Sequence, residues 1–369
     1  MTQPIRVLML NYEYPPLGGG AGNATHYLLR EFAAFKDIEL TLVTSSTGER
    51  RTEHPYANIT IHLLDIGKDN TLHYQTNRDL LFYSWKAWRF CRKLCKEEAF
   101  DIVFAFFGVP CGVIAYLLGK PYIISLRGSD VPGFSQRFAA INRLLLREVS
   151  RFIWERSRYT VANSEHLKQL ARETSPNQPI LVIPNGVDTN RFYPKATRGP
   201  DEVLRVLAVG RLIPRKGFDT LINAARDLSD IAVTIAGEGP EEDNLRALAD
   251  GLEVHFAGVV PPEDMPELYR QHDVFVLPSA NEGMSNAMLE ALASGLPLVV
   301  GNTGDALRLV EDNGAVLPLP VTREGLSSCL QAMRDSSGAL HEQSRASRRK
   351  ASRYSWRSVA QAYRGLFTH

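Results

Sequence analysis

Short apolar runs without polar alternation recur along the chain, separated by stretches of helical periodicity. Val7–Leu10, Leu40–Thr44, Ile102–Phe106, Tyr122–Leu126, Thr160–Ala162 and Leu181–Ile183 predict strands in the first half. Unbroken apolarity is what parallel strands covered on both faces require. The pattern restarts with Val203–Val209, Ala232–Ala236, Val254–Ala257, Val274–Leu277 and Leu298–Val300, and Phe218–Asp227, Asp243–Ala249 and Asn286–Ala293 predict helices between them. Such alternation over short links predicts α/β domains with parallel sheets. Residues 191–201, with Pro194, Gly199 and Pro200 among mixed charges, read as a linker. The expected organisation is a first domain over 1–190, a second over 202–352, and a tail over 353–369. The amphipathic helix of that tail, Trp356–Phe367, is expected to pack back on the first domain. Both domains are predicted to be Rossmann-like and doubly wound, facing each other across a cleft with ligands at the carboxyl ends of their strands.

At 369 residues, 44% of them hydrophobic and 22% charged, the chain is long enough for two cores and too apolar for disorder. The net charge of +1 excludes a chain-wide polyanion binder, and no nucleic-acid partner is expected. The charge divides unevenly: 22 basic and 18 acidic residues up to residue 190, then 20 and 23. Cys91, Cys95, Cys111 and Cys329 form no metal-ligand spacing and are expected to be free thiols in a reducing compartment. Neither a signal peptide nor a spanning helix is legible. The expected location is cytoplasmic, or peripheral on the inner face of the cytoplasmic membrane.

Three loops carry candidate chemistry. Gly18-Gly19-Gly20-Ala21-Gly22 follows the first strand and opens a helix, a place where backbone N–H groups can meet a phosphate. A tight turn is the other reading. A dinucleotide fingerprint fails, because Asn23 stands where its third glycine belongs and Val43-Thr44-Ser45 lacks the ribose-binding acid. The second loop, Val209-Gly210-Arg211-Leu212-Ile213-Pro214-Arg215-Lys216-Gly217, places Arg211 and Lys216 at a strand end. A guanidinium fork and an ammonium point charge suit a diphosphate. The third loop, Ser279–Glu290, places Glu282 ahead of a helix and Glu290 within it. Were helix to run between them, eight residues would part the backbones by about 12 Å. A retaining glycosidase needs its carboxyls about 5–5.5 Å apart, so the two acids are expected to serve different groups. Glu290 would accept ribose hydroxyls, and Glu282 would lie near a sugar with the N–H groups of Gly283, Met284 and Ser285 at the helix start. The plainer reading is a first-turn acid favoured by the helix dipole and a solvated glutamate.

The run Asn281–Pro297 with its Glu-x7-Glu spacing resembles the signature of glycosyltransferase family 4. The Val209-Gly210-Arg211 turn with Lys216, the Asn185-Gly186-Val187-Asp188 segment, the early glycine loop and the Tyr354-Ser355-Trp356 tail match that family in order. The resemblance spans nearly the whole chain and implies the GT-B architecture and a retaining, metal-independent transferase without cofactor. It implies that Glu290 binds the donor ribose, Glu282 the donor sugar, and Arg211 and Lys216 the diphosphate. No Asp-x-Asp occurs in the chain, so positive side chains and helix dipoles would carry the leaving-group charge. The chain departs from the family at Arg127-Gly128-Ser129-Asp130, where many members have His-Gly-x-Asp. A guanidinium stays protonated and cannot act as a base. It would bind a sugar hydroxyl or phosphate, or pair with a carboxylate such as Asp130.

The expected catalytic group is therefore Glu282, Arg211, Lys216 and Arg127. Substrate binding is expected at Gly18, Gly19, Gly20, Asp130, Asn185, Gly210, Gly283, Met284, Ser285, Asn286 and Glu290. The partners expected are a nucleotide-sugar donor, UDP-linked by preference or GDP-linked, and a glycan or lipid-linked acceptor in cell-surface polysaccharide, lipopolysaccharide or glycolipid synthesis. Trp85–Lys96 holds five basic residues, no acid, and Trp85, Trp88 and Phe90, while Arg143, Arg147 and Arg151 recur every fourth residue. Basic helices with aromatics suit an anionic membrane surface. An ordinary solvated helix with core tryptophans is the other reading. Rival functions are an epimerase or sugar-phosphate synthase on the same fold, a non-catalytic scaffold with a degenerate site, and, more remotely, a nicotinamide dehydrogenase.

Overall fold

The computed structural model describes residues 3–68, 72, 75–134, 140–195 and 203–368, except the side chains of 140–145 and 337. The chain divides into two compact units, one of residues 1–185 with 356–369, the other of 186–355. Residues 191–195 of the expected linker belong to the second unit, and 196–201 lie outside the described residues. Phe192, buried in the second core with Val187, ties this stretch to the second unit.

The first unit runs β1 (Ile5–Leu10), α1 (Gly20–Phe32), β2 (Ile38–Ser46), β3 (Arg51–Tyr56), β4 (Ile59–Asp65), α2 (Asn77–Glu97), β5 (Ile102–Phe106), α3 (Val113–Leu117), β6 (Tyr122–Leu126), α4 (Ala140–Trp154), β7 (Tyr159–Ala162), α5 (Glu165–Thr174) and β8 (Ile180–Val182). These strands form one sheet in the order β3-β4-β2-β1-β5-β6-β7-β8, parallel except for the edge strand β3. Its order reverses between β1 and β5, which makes their carboxyl ends the switch point. Periodicity did not reveal β3, because Arg51-Thr52-Glu53-His54-Pro55-Tyr56 is almost wholly exposed. It is a charged, proline-bearing edge of the kind that blunts further pairing. β4 alternates buried and part-exposed positions over Ile59–Leu63, a period-two pattern unlike the continuous runs of the inner strands.

The second unit runs β9 (Leu204–Val209), α6 (Phe218–Ala225), β10 (Ile231–Ala236), α7 (Glu242–Leu248), β11 (Val254–Gly258), α8 (Met265–Arg270), β12 (Val274–Leu277), α9 (Asn286–Ala293), β13 (Leu298–Gly301), α10 (Ala306–Leu309), β14 (Gly314–Leu317), α11 (Arg323–Asp335) and α12 (Ser337–Ala351). Its six strands are parallel in the order β11-β10-β9-β12-β13-β14, the doubly wound order with its reversal between β9 and β12. β14 is short and part-exposed, and its sequence carries little strand signal. The two ends of this unit run side by side: the Val187 N–H donates to the Tyr354 carbonyl at 2.7 Å, and Val187 bridges Ser355 in parallel. The Arg348 guanidinium donates to the carbonyls of Thr189, Phe192 and Ala293 at 2.7–2.9 Å and so fastens the entering segment.

The final helix, α13 (Trp356–Thr368), belongs to the first unit. Trp356, Val359, Ala360, Tyr363 and Phe367 are its buried face. Trp356 stacks on Tyr27 of α1 at 5.4 Å, Tyr363 and Phe367 meet Phe104 of β5, and Arg364 pairs with Asp37. The Tyr363 hydroxyl lies 2.9 Å from Ser125 Oγ on β6.

Tyr363→Ala should destabilise the first unit by about 3–5 kcal/mol, the cost of emptying a buried aromatic site. The four tryptophans, Trp85, Trp88, Trp154 and Trp356, all lie in the first unit. Tryptophan fluorescence during urea unfolding therefore reads that unit, and a midpoint unchanged from wild type would show that α13 contributes little to it.

Candidate functional site

In the second unit the loops after β9, β10 and β12 interlock at the switch point. The Gly210 N–H donates to the Ala236 carbonyl, and the Leu212 N–H to that of Glu238, both at 2.9 Å. The Ala280 N–H donates to the Arg215 carbonyl at 2.8 Å, and the Arg215 guanidinium to the Asn281 carbonyl at 2.7 Å. Gly217 sits at φ +68°, where a Cβ would come within 2.5 Å of the Pro278 carbonyl oxygen. The β9 and β12 loops can approach this closely only with glycine there.

This scaffold brings Lys216 and Glu282 together. Lys216 ends a single turn of 3-10 helix, Pro214–Lys216, and Glu282 lies in the loop before α9. The ammonium and carboxylate are 2.5 Å apart, each side chain 11% exposed. A pair this enclosed gains little net stability over apolar packing, but losing one partner strands a buried charge. Gly210 backs the lysine stem. Arg211 is exposed in the same loop as Lys216, Met284 is buried, and Gly283, Ser285 and Asn286 are part-exposed at the amino end of α9. With Ser285 as N-cap, α9 has no acid in its first turn to offset the positive end of its dipole.

Glu290 lies one turn further into α9 and accepts a hydrogen bond from the Tyr269 hydroxyl at 2.9 Å. Burial raises its carboxyl to about 7, opposed by the Tyr269 hydrogen bond and the positive charge of Arg191. Glu282 and Glu290 thus have separate partners, one a lysine and the other a tyrosine.

The first unit gathers a second set of residues at its own switch point. Gly18 has φ +90°, and a Cβ there would come within 2.6 Å of Glu13 Oε2. The Gly19 N–H donates to that oxygen at 3.2 Å. The turn is braced by Asn11, whose Oδ1 accepts the Glu13 N–H and whose amide donates to Thr25 on α1. The glycine loop, read from sequence as an anion site or a tight turn, thus has its own glutamate on one of its amides. Gly20 opens α1 and is exposed.

Asp130 is buried and accepts the N–H groups of Gly108, Arg127 and Gly128 at 2.7–3.0 Å. Burial raises its carboxyl, and these amides oppose the shift. Asp130 therefore acts on the backbone of the Arg127 turn. The Arg127 guanidinium lies over the Phe106 ring and donates to Asn185 Oδ1 at 2.8 Å, while its Nε is buried without a hydrogen-bond partner.

Helix α2 presents Leu81, Phe82 and Trp85 outward at 72, 40 and 55% exposure, with Arg89, Arg92, Lys93 and Lys96 exposed beyond them. Trp88 packs partly against the core, so the two tryptophans divide between the two sequence readings. Arg151 pairs with Glu148, Arg147 binds the Glu173 carbonyl, and the Arg143 side chain lies outside the described residues. Among the described residues no helix is long and apolar enough to cross a membrane, and no three His, Cys, Asp or Glu side chains converge as a metal-holding group. The four cysteines are free thiols.

Sequence reasoning passed over Glu13, Tyr269, and the Gly237-Glu238-Gly239 loop after β10. The last was accessible, since it repeats at a strand end the glycine pattern already noticed at Gly210. Glu13 and Tyr269 carry no local signal, because their roles come from contacts across a turn and between two helices.

Two family models match the chain: Glycosyltransferase Family 4 over residues 18–191 and Glycosyl transferases group 1 over 204–334. A GDP-mannose-dependent alpha-(1-6)-phosphatidylinositol monomannoside mannosyltransferase of Mycobacterium tuberculosis is 33% identical over 177 residues, covering 42% of this chain and 46% of that protein. The chain thus spans less than half the length of that relative. Among solved structures, sucrose-phosphate synthase from Thermosynechococcus elongatus superposes with a TM-score of 0.84 at 19% identity, over 99% of each chain. HepE of Anabaena in complex with UDP-glucose superposes with a TM-score of 0.74 at 17% identity, again over 99% of each.

The raised Glu290 carboxyl fixes a pH dependence. The folded state holds this proton up to about pH 7, whereas an unfolded glutamate releases it near pH 4.3. Its favourable contribution is full below the unfolded value and is lost as pH rises through that window. Glu290→Gln should remove this slope, gaining roughly 1–3 kcal/mol on wild type between pH 4.5 and 7.5. Urea unfolding followed by circular dichroism at both pH values tests it, and parallel pH profiles would refute the assignment.

Proposed function

Because the chain belongs to glycosyltransferase family 4 and has its GT-B architecture of two parallel-sheet α/β domains, we propose that it transfers a sugar from a nucleoside diphosphate donor to an acceptor hydroxyl, with retention at the anomeric carbon. The observation that carries this reading is the enclosed Lys216–Glu282 pair at the β9/β12 switch point, 2.5 Å apart at the amino end of α9. Ligands of doubly wound sheets bind at that point, and the ammonium, Arg211 and the helix end together favour a diphosphate.

In the proposed reaction the donor's anomeric C–O bond breaks and its electron pair leaves with the nucleoside diphosphate. The acceptor oxygen bonds to the same face, and its proton passes to the departing phosphate. Lys216 and Arg211 stabilise the charge that develops on the leaving group, which is electrostatic catalysis aimed at the transition state. Glu282 orients the donor sugar and keeps Lys216 in place. Glu290 receives the ribose hydroxyls. No protonatable group is required of Arg127, whose guanidinium would meet an acceptor or sugar hydroxyl in the first unit. The reaction as proposed draws on no metal or cofactor.

The acceptor proposed is a glycan or lipid-linked alcohol of cell-surface polysaccharide, lipopolysaccharide or glycolipid synthesis, reached from an anionic membrane surface. What supports this is the outward face of α2, with Leu81, Phe82 and Trp85 beside a cationic stretch. Such a surface combines apolar insertion with attraction to anionic lipid.

Thermal unfolding with millimolar UDP, GDP, ADP or NAD tests the donor class. A ligand at 100 times its dissociation constant adds about 2.7 kcal/mol to the folded state. One diphosphate, UDP or GDP, should raise the melting temperature and NAD should not; stabilisation by NAD alone would overturn the reading. Lys216→Ala and Arg211→Ala should each slow transfer from the matching sugar nucleotide by roughly 10²-fold, and full activity in either would remove that residue from the leaving-group role. The protein should co-sediment with anionic vesicles at low salt, more weakly at high salt. No binding at low salt would dismiss membrane docking.

A further inference from the structure

Glu290 is anchored by a residue from a different helix. Tyr269 of α8 is fully buried, with its ring edge-on to Phe192 at 5.7 Å and tilted against Phe275 at 6.1 Å. Those rings fix where its hydroxyl oxygen lies. That oxygen is 2.9 Å from Glu290 Oε2 and 3.2 Å from the Ala287 carbonyl oxygen. Ala287 and Glu290 are three residues apart on α9, hence on one face of it. The hydroxyl has a single proton for two acceptors, and above about pH 7, where Glu290 is ionised, its carboxylate is the stronger one. The shorter distance agrees.

We propose that Tyr269 is the positioning residue for Glu290: its hydroxyl holds Oε2, leaving Oε1 to accept the ribose hydroxyls of the donor. This rests on the donor reading of the second unit. A glutamate side chain has three rotatable bonds, and a carboxylate bound at neither oxygen would sample several rotamers before meeting a ribose. The buried tyrosine removes that freedom ahead of binding, so the donor does not bear the ordering cost. Tyr269 itself touches no reacting atom. Its effect belongs to nucleotide affinity and not to the chemical step.

Tyr269→Phe deletes the hydroxyl oxygen and keeps the ring, so α8 retains its packing; circular dichroism and the melting temperature verify this. Calorimetric titration with UDP and GDP identifies the diphosphate that wild type binds. At a pH above 7, where Glu290 is ionised, Tyr269→Phe should bind it about tenfold more weakly, the scale of a lost hydrogen bond to a charged group, while kcat at saturating donor falls far less. The same substitution in a Glu290→Gln background should weaken binding by much less than tenfold, because a residue acting through Glu290 has little left to position. A merely structural role would give the same loss in both backgrounds, which overturns the proposal. So would unchanged affinity in Tyr269→Phe, or a loss confined to kcat. If wild type binds neither diphosphate, the donor reading falls and this inference with it. If wild type binds and Tyr269→Phe binds equally well, only the inference falls.

Discussion

The enclosed contact between Lys216 and Glu282 constrains the whole site of the second unit. Two opposite charges lie at the ends of neighbouring strands, each 11% exposed, and each makes the other's burial tolerable. Holding them there requires the loops after β9 and β12 to touch through their backbones, which the Ala280–Arg215 hydrogen bond, the Arg215–Asn281 contact and Gly217 achieve. The β10 loop then braces the β9 loop from the other side. The geometry is thus set by main chain and glycine, and the charged side chains are placed on an ordered frame.

The two units share a topology but arrange charge differently at their switch points. In the second, the amino end of α9 has no acid in its first turn, and a lysine stands nearby. In the first, Glu13 folds over Gly18 and occupies the Gly19 amide, while Asp130 binds three further amides. At one switch point a helix begins without an acid in its first turn, and at the other a glycine-rich turn is met from within by a carboxylate. A glutamate precedes each: Glu282 is paired with Lys216, whereas Glu13 accepts a backbone amide of its own turn.

The inner strands were legible because burial on both faces writes an unbroken apolar run, and α9 matches its predicted span of Asn286–Ala293 residue for residue. β3, β4 and β14 were not, since an exposed charged edge, a strand of alternating burial and a part-exposed strand carry no such pattern. Within the site, the strand–loop–helix position of Arg211, Lys216, Glu282 and Glu290 could be read from spacing. Their partnerships could not: Lys216 with Glu282 spans 66 residues and Tyr269 with Glu290 joins two helices. Asp130 shows the converse, a polar residue visible in a motif whose carboxylate binds its own backbone.

The first unit is assembled from two separated stretches of chain, with α13 supplied after the whole of the second unit. During synthesis at roughly 5–20 residues per second, the intervening segment takes on the order of 10–30 s to emerge. For that interval Phe104, Tyr27 and the α1 surface lack the aromatic face that later covers them. The second unit, continuous and with its ends bridged at Val187 and Ser355, has its full sequence first. The unit begun first is thus the one whose sequence is completed last, and its aromatic surface under α13 is the last to be covered.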